Sequence, residues 1–92
     1  MTVQPTRVVH CEKERYDVYI GRPSKWGNPF RVGVETEENR QAAIDQFREW
    51  IKGQPQLLSQ IGELRGKVLG CWCKPQACHG DILATFADQQ TI

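Results

Sequence analysis

Val68-Leu69-Gly70-Cys71-Trp72-Cys73-Lys74-Pro75-Gln76-Ala77-Cys78-His79-Gly80-Asp81-Ile82-Leu83 holds three of the four cysteines and one of the two histidines of this 92-residue chain. Lys67 to Cys73 is an apolar run of strand length, bounded by Gly66 and Pro75. Alternate residues of a strand share a face, so Cys71 and Cys73 project together and Trp72 the other way. Pro75 ends the strand, because it has no N–H to give a ladder. Ile82, Leu83, Phe86 and Ala87 recur at helical spacing, which places Cys78, His79, Gly80 and Asp81 at a helix N-terminus. Free N–H groups there favour anions. A strand's carboxyl end meeting a helix N-terminus is the usual ligand position of α/β proteins.

The length is that of a single domain, residues 1–92. Apolar content of 39% suffices for a small core, and 12 basic against 11 acidic residues leave a net charge of +1. That balance gives no general attraction to nucleic acid or to a membrane surface. No apolar run reaches spanning length and no leader pattern opens the chain, so a cytoplasmic location is the expectation. In that compartment four cysteines point to thiols, a metal or a reactive site before disulfides.

Ahead of the central stretch, Met1 to Pro5 reads as a loose lead-in. Thr6 to Cys11 has strand character. Tyr16 to Ile20 alternates and is rich in β-formers, with Tyr16, Val18 and Ile20 on one face. The short charged link between them suggests a hairpin. Gly21 to Phe30, with two Gly, two Pro and an Asn, is an irregular loop. It carries Arg22, Lys25, Trp26, Gly27 and Asn28. Trp26 and Phe30 are either plugs at the core's edge or, with Arg22 and Lys25 meeting an anion and Trp26 stacking on a ring, parts of a ligand loop. Thr36 is an N-cap followed by Glu37 and Glu38. Ala43, Ile44, Phe47, Trp50 and Ile51 mark one face of a helix ending near Lys52, with Gly53 as its stop. Pro55 opens a second helix bearing Leu57, Leu58, Ile61 and Leu64. Asp88 to Ile92 is expected to fray.

The order strand, strand, loop, helix, helix, strand, helix predicts an α/β domain, or a compact α+β one: a small mixed three-stranded sheet with about three helices packed on it. A long helical crossover favours the last strand parallel to the second, bringing the Gly21–Phe30 and Cys73–Asp81 loops to one sheet edge. One pocket then holds Arg22, Trp26, Asn28, Cys73, Cys78, His79 and Asp81.

Two blocks resemble the signatures of a domain family of unknown function frequent in bacteriophages and in bacteria carrying prophages. Tyr16 to Phe30 resembles its YIGR…WGNPF block. Leu69 to Leu83 resembles its CWC-x-P-x-x-CHGD-x-L block. The resemblance implies a phage-type protein of a bacterial host's cytoplasm and supplies no activity. The strand-loop-helix pattern ending in Gly-Asp is also loosely similar to small Rossmann-like nucleotide-binding domains, a likeness of fold alone.

The Cys/His cluster has three readings. As a metal site, Cys71, Cys73, Cys78 and His79 are a donor set that zinc accepts, although the spacing is not that of the usual two-residue knuckles and Cys11 or His10 could replace Cys71. As a reactive or binding site without metal, Cys78 beside His79 has the surroundings that activate a thiol. There His79 serves as acid or base, Asp81 orients it or binds a hydroxyl, and the N–H groups of residues 79 to 81 hold a phosphate. As scaffold, buried cysteines, a cysteine cap and an aspartate on backbone N–H groups need no function. The leading functional expectation is a site for a nucleotide-like or other anionic small molecule, with enzymatic activity undecided. The alternative is a phage protein that binds and modulates a host protein. Nucleic acid, through a patch of Arg22, Lys25, Arg31 and Lys74, ranks third.

Overall fold

A computed structural model describes residues 5–30, 34, 36–74 and 76–89. The lead-in residues 1–4, the patch residue Arg31, the strand-ending Pro75 and the last three residues of the tail lie outside the described residues.

The sheet is built around its last strand. β1 (Arg7–His10) and β2 (Val18–Tyr19) flank β3 (Val68–Cys71), in the order β1-β3-β2. Val8 pairs with Leu69 and His10 with Cys71 on one side, Val18 with Leu69 and Tyr19 with Gly70 on the other. Both ladders are parallel. The α/β class, the three strands and the helices packed on them match expectation. The hairpin does not form, and the sheet lacks the antiparallel pairing that would have made it mixed. The link from Cys11 to Asp17 contains no tight two-residue turn. It runs back across β3, so the chain re-enters on the far side in the same direction. Gly70 makes room for this crossing, since a Cβ there would lie 2.6 Å from the Tyr16 ring. Asp17 then clamps the start of β3, its N–H donating to Val68 O at 2.7 Å and its Oδ2 accepting from Val68 N at 2.9 Å. Tyr16 therefore joins Tyr19, with ring centroids 6.3 Å apart, instead of Val18 and Ile20.

The helices follow their local signals. α1 (Glu37–Lys52) starts at Thr36, whose Oγ1 accepts the N–H of Asn39 at 3.1 Å, and stops at Gly53. Ala43, Ile44, Phe47 and Ile51 are its buried face. α2 (Pro55–Gln60) has Pro at its first position, then tightens into a 3-10 turn over Ile61–Leu64. Gly66, with φ 74°, makes the reversal into β3 that a side chain would resist. α3 (His79–Asp88) lies across the sheet so closely that a Cβ on Gly80 would meet Ile20 Cδ1 at 2.5 Å and Val8 Cγ1 at 3.1 Å. Phe47, Ile51, Ile61, Leu64, Leu69, Ile20 and Leu83 form one core between the helices and this face of the sheet. At the far edge, the Thr6 hydroxyl donates to Asp88 Oδ1 at 2.6 Å and accepts from Gly66 N at 2.8 Å, joining β1, the turn before β3 and the end of α3.

Candidate functional site

Because β2 and β3 are parallel neighbours, the loops that leave them emerge at the same end of the sheet. A cleft of about 240 Å³ opens between them. The loop after β2 gives it Gly21, Arg22, Asn28 and Phe30; the loop after β3 gives Trp72, Cys73 and Ala77; Cys71, Cys78 and His79 line its inner part, and α1 adds Arg40, Ala43 and Ile44. The juxtaposition of the two loops is as the crossover geometry predicted.

Among the expected ligand residues, Arg22 and Asn28 line the cleft and Lys25, Trp26 and Gly27 do not. Trp26 points inward and is 2% exposed. It is a plug of the core, and a fully enclosed ring cannot stack on a ligand. Lys25 lies over the Trp26 ring at 5.2 Å and turns toward the 3-10 turn, where it pairs with Glu63 at 2.9 Å and with Gln60. Gly27 packs on Arg22, whose Cγ would stand 2.9 Å from a Cβ at this position. Asn28 also organises the loop: its side-chain oxygen accepts the N–H of Phe30 at 2.9 Å and its amide donates to Ala43 O at 3.3 Å. Of the basic patch, Lys25 and Lys74 are both ion-paired, and Arg22 is the member that lines the cleft.

The β3–α3 loop gathers the sulfurs. Cys71, Cys73 and Cys78 have their Sγ atoms within 4.8 Å of one another. Cys71 and Cys78 are drawn together as a sulfur–sulfur pair, with Cα atoms 7.6 Å apart, and Cys73 is a free, half-buried thiol. Two N–H groups point at these sulfurs: Cys73 N at 3.5 Å from Cys71 Sγ, and Gly80 N at 3.3 Å from Cys78 Sγ. Cys78 is the N-cap of α3, with Asp81 completing a capping box. Two chemistries are open to such a cluster, a Cys71–Cys78 disulfide or a metal ion held by all three sulfurs. Cys11, the fourth cysteine, stands outside it at the end of β1.

His79 is 7% exposed and stands beside Cys78, outside the sulfur triangle. One ring nitrogen, Nε2, lies 2.9 Å from Ile20 O, and the other, Nδ1, lies 3.5 Å from Cys78 Sγ. A carbonyl accepts only, so the Ile20 contact requires a proton on Nε2 and leaves the Nδ1 lone pair toward the Cys78 sulfur in the neutral ring. Burial pushes the imidazole pKa below its ordinary value, and the charge of Arg22 pushes the same way. The backbone carbonyls of Ile20 and Trp26 and the Asp81 carboxylate pull against them. The Phe47 ring meets the imidazole edge-on at 5.1 Å.

Asp81 is not the orienting group. One of its oxygens accepts Cys78 N at 3.1 Å and the other takes Lys74 Nζ at 2.7 Å, so the carboxylate caps α3 and stays off the cleft wall. Ile20 O orients the imidazole instead. The phosphate cradle expected from residues 79 to 81 is largely occupied from within: Gly80 N goes to Cys78 Sγ and Asp81 N to Cys78 O at 2.9 Å.

Arg40, Tyr19 and Trp72 line the cleft beyond the residues expected there, and Phe30 lines it as part of the β2 loop. Trp72, which strand alternation puts on the face away from Cys71, is 54% exposed. Its Nε1 donates to Tyr19 Oη at 2.7 Å, and that hydroxyl donates to Arg22 O at 3.1 Å, tying the two loops together at the cleft's rim. The sequence signal for Arg40 is its place three residues before Ala43, on the face of α1 that meets the loop.

A protein of Enterobacteria phage T4, described as an uncharacterized 12.4 kDa protein in the nrdA-td intergenic region, is 43% identical over 87 residues, covering 90% of this chain and 78% of its own. Uncharacterized protein R718 of Acanthamoeba polyphaga mimivirus is 31% identical over 85 residues, covering 73% of this chain and 63% of its own. No solved structure matches. No helix among the described residues is long and apolar enough to cross a membrane. The model of the domain of unknown function DUF4326 matches residues 3–89, so the chain belongs to that family.

Proposed function

We propose that this protein binds a small anionic molecule carrying a planar ring, nucleotide-like in chemistry, in the cleft between the β2 and β3 loops of a phage-type domain. The observation that carries the reading is the composition of that one cleft: two arginines, Arg22 and Arg40, on a wall that also presents Tyr19, Phe30 and Trp72. A guanidinium recognises a phosphate or carboxylate through paired N–H donors, and an aromatic ring gives a base or other planar group a stacking face. Stacking falls to the exposed Trp72 in place of the buried Trp26, and Arg22 and Arg40 supply the cation without Lys25. His79, beside Cys78, lies within the same cleft and is the acid–base group through which a bound molecule would be processed if the site is enzymatic. A thermal-stability screen against nucleotides, dinucleotides and sugar phosphates tests the reading. A ligand at a hundred times its Kd raises folding stability by about 2.7 kcal/mol. Arg22→Ala should remove that gain while leaving the unliganded melting temperature unchanged. If no anionic ring compound stabilises the wild-type protein, the reading is wrong.

A further inference from the structure

The geometry points to a metal centre: Cys71, Cys73 and Cys78 hold one zinc-class ion as thiolates, with its fourth coordination position facing the cleft. This goes beyond the anion-binding reading and stands without it. Three sulfurs from a strand, a loop and a helix cap converge within 4.8 Å of one another. Sulfur ligands about 2.3 Å from a tetrahedral zinc stand about 3.8 Å apart, so one ion fits the triangle after small side-chain rotations. A disulfide accounts for the cluster less well. It uses only two of the three sulfurs, and it would have to join Cα atoms 7.6 Å apart, where disulfide-bonded residues usually lie within about 6.8 Å. A sulfur–metal–sulfur bridge is longer than a sulfur–sulfur bond and spans that separation without moving the backbone.

The surroundings favour thiolate over thiol. Cys73 N and Gly80 N donate to Cys71 Sγ and Cys78 Sγ. The positive end of α3 begins at Cys78 itself. Three thiolates and a divalent cation carry a net charge of −1, and Arg22 and Arg40 line the same cleft. A soft, three-sulfur donor set selects zinc over the hard cations. All three cysteines line the cleft, so the position that completes the tetrahedron opens toward it, where water or a small ligand can enter.

Cobalt(II) tests the proposal directly, because thiolate ligation gives it near-ultraviolet charge-transfer absorption and a four-coordinate site gives intense visible bands. The full-length protein, reduced and stripped of metal, is titrated anaerobically with cobalt alone. The expected result is both sets of bands saturating at one equivalent per chain and collapsing when zinc is added. Cys73→Ala should weaken cobalt binding at least a hundredfold, and Cys11→Ala, outside the triangle, should leave it unchanged. Zinc analysis of protein purified without added metal should give close to one equivalent, a readout that does not depend on any variant folding. Absence of charge-transfer bands at stoichiometric cobalt, full binding by a folded Cys73→Ala protein, or a metal-free native protein with a quantitative Cys71–Cys78 disulfide in its peptide map would each overturn the proposal. None of these outcomes bears on whether an anion binds at Arg22.

Discussion

Replacing Trp26 by alanine separates the two roles an aromatic in the β2 loop could have. A ring waiting for a ligand is partly solvated, and its removal costs the fold little. The Trp26 ring is 2% exposed and belongs to the same core as Ile20, Phe47 and Leu83. Its removal therefore leaves a cavity that its neighbours only partly fill, and the expected loss is about 3–5 kcal/mol. The cation of Lys25 above the ring adds only about 0.5–1 kcal/mol at such an exposed position. A 92-residue domain has roughly 5–14 kcal/mol in total, so the variant loses a large share of its stability. At about 4–8 °C per kcal/mol, the melting temperature should fall by at least about 12 °C. Urea unfolding followed by far-ultraviolet circular dichroism measures the loss, and equal slopes for the two proteins license the comparison. Trp26→Phe should fall between the two. A loss under about 1 kcal/mol for the alanine variant would refute the assignment of Trp26 to the core and return the ring to the ligand site.

Further substitutions test other joints of the structure. Gly80→Ala should destabilise by about 1–3 kcal/mol in the same assay, because the new methyl meets Ile20 and Val8 and pushes α3 off the sheet. Thr6→Ala should cost about 1–3 kcal/mol by leaving Gly66 N–H without its acceptor, and Thr6→Ser should restore most of it. Asp81→Asn keeps an oxygen for Cys78 N–H and weakens only the contacts of charge with the helix end and with Lys74. Its loss should be about 1 kcal/mol or less, with thermal stabilisation by ligand preserved, whereas a catalytic carboxylate would lose function on the same change.

Much of the architecture was legible because local chemistry and global fold agree. Thr36, Gly53, Pro55 and Cys78 each mark a helix boundary through a requirement of the backbone at that point, and the structure uses all four. The parallel relation of β2 to β3 followed from the length of the helical segment between them. The partner of β1 was not legible. Alternation tells which residues share a face and nothing about which strand lies alongside, so a seven-residue link that doubles back over Gly70 reads the same as a hairpin connection. The site divides along the same line. The convergence of Cys71, Cys73 and Cys78 comes from a strand period and a helix start, both local. The inward turn of Trp26 depends on the core that α1 and the 3-10 turn build beneath the loop, and the outward position of Trp72 goes with its hydrogen bond to Tyr19. Asp81 and the N–H groups beside it looked like site chemistry because a capping box and an anion site draw on the same groups.

The most direct measurement for the central claim is amide chemical-shift mapping by NMR of the wild-type protein with the strongest ligand from the stability screen. Binding in the cleft should shift Gly21, Arg22, Asn28, Trp72, Cys73 and His79, including the Trp72 indole N–H, and leave the far edge at Thr6, Gly66 and Asp88 unmoved. Shifts confined to the far edge or to the outer faces of α1 and α2, with the Arg22 and Trp72 signals unchanged, would contradict it.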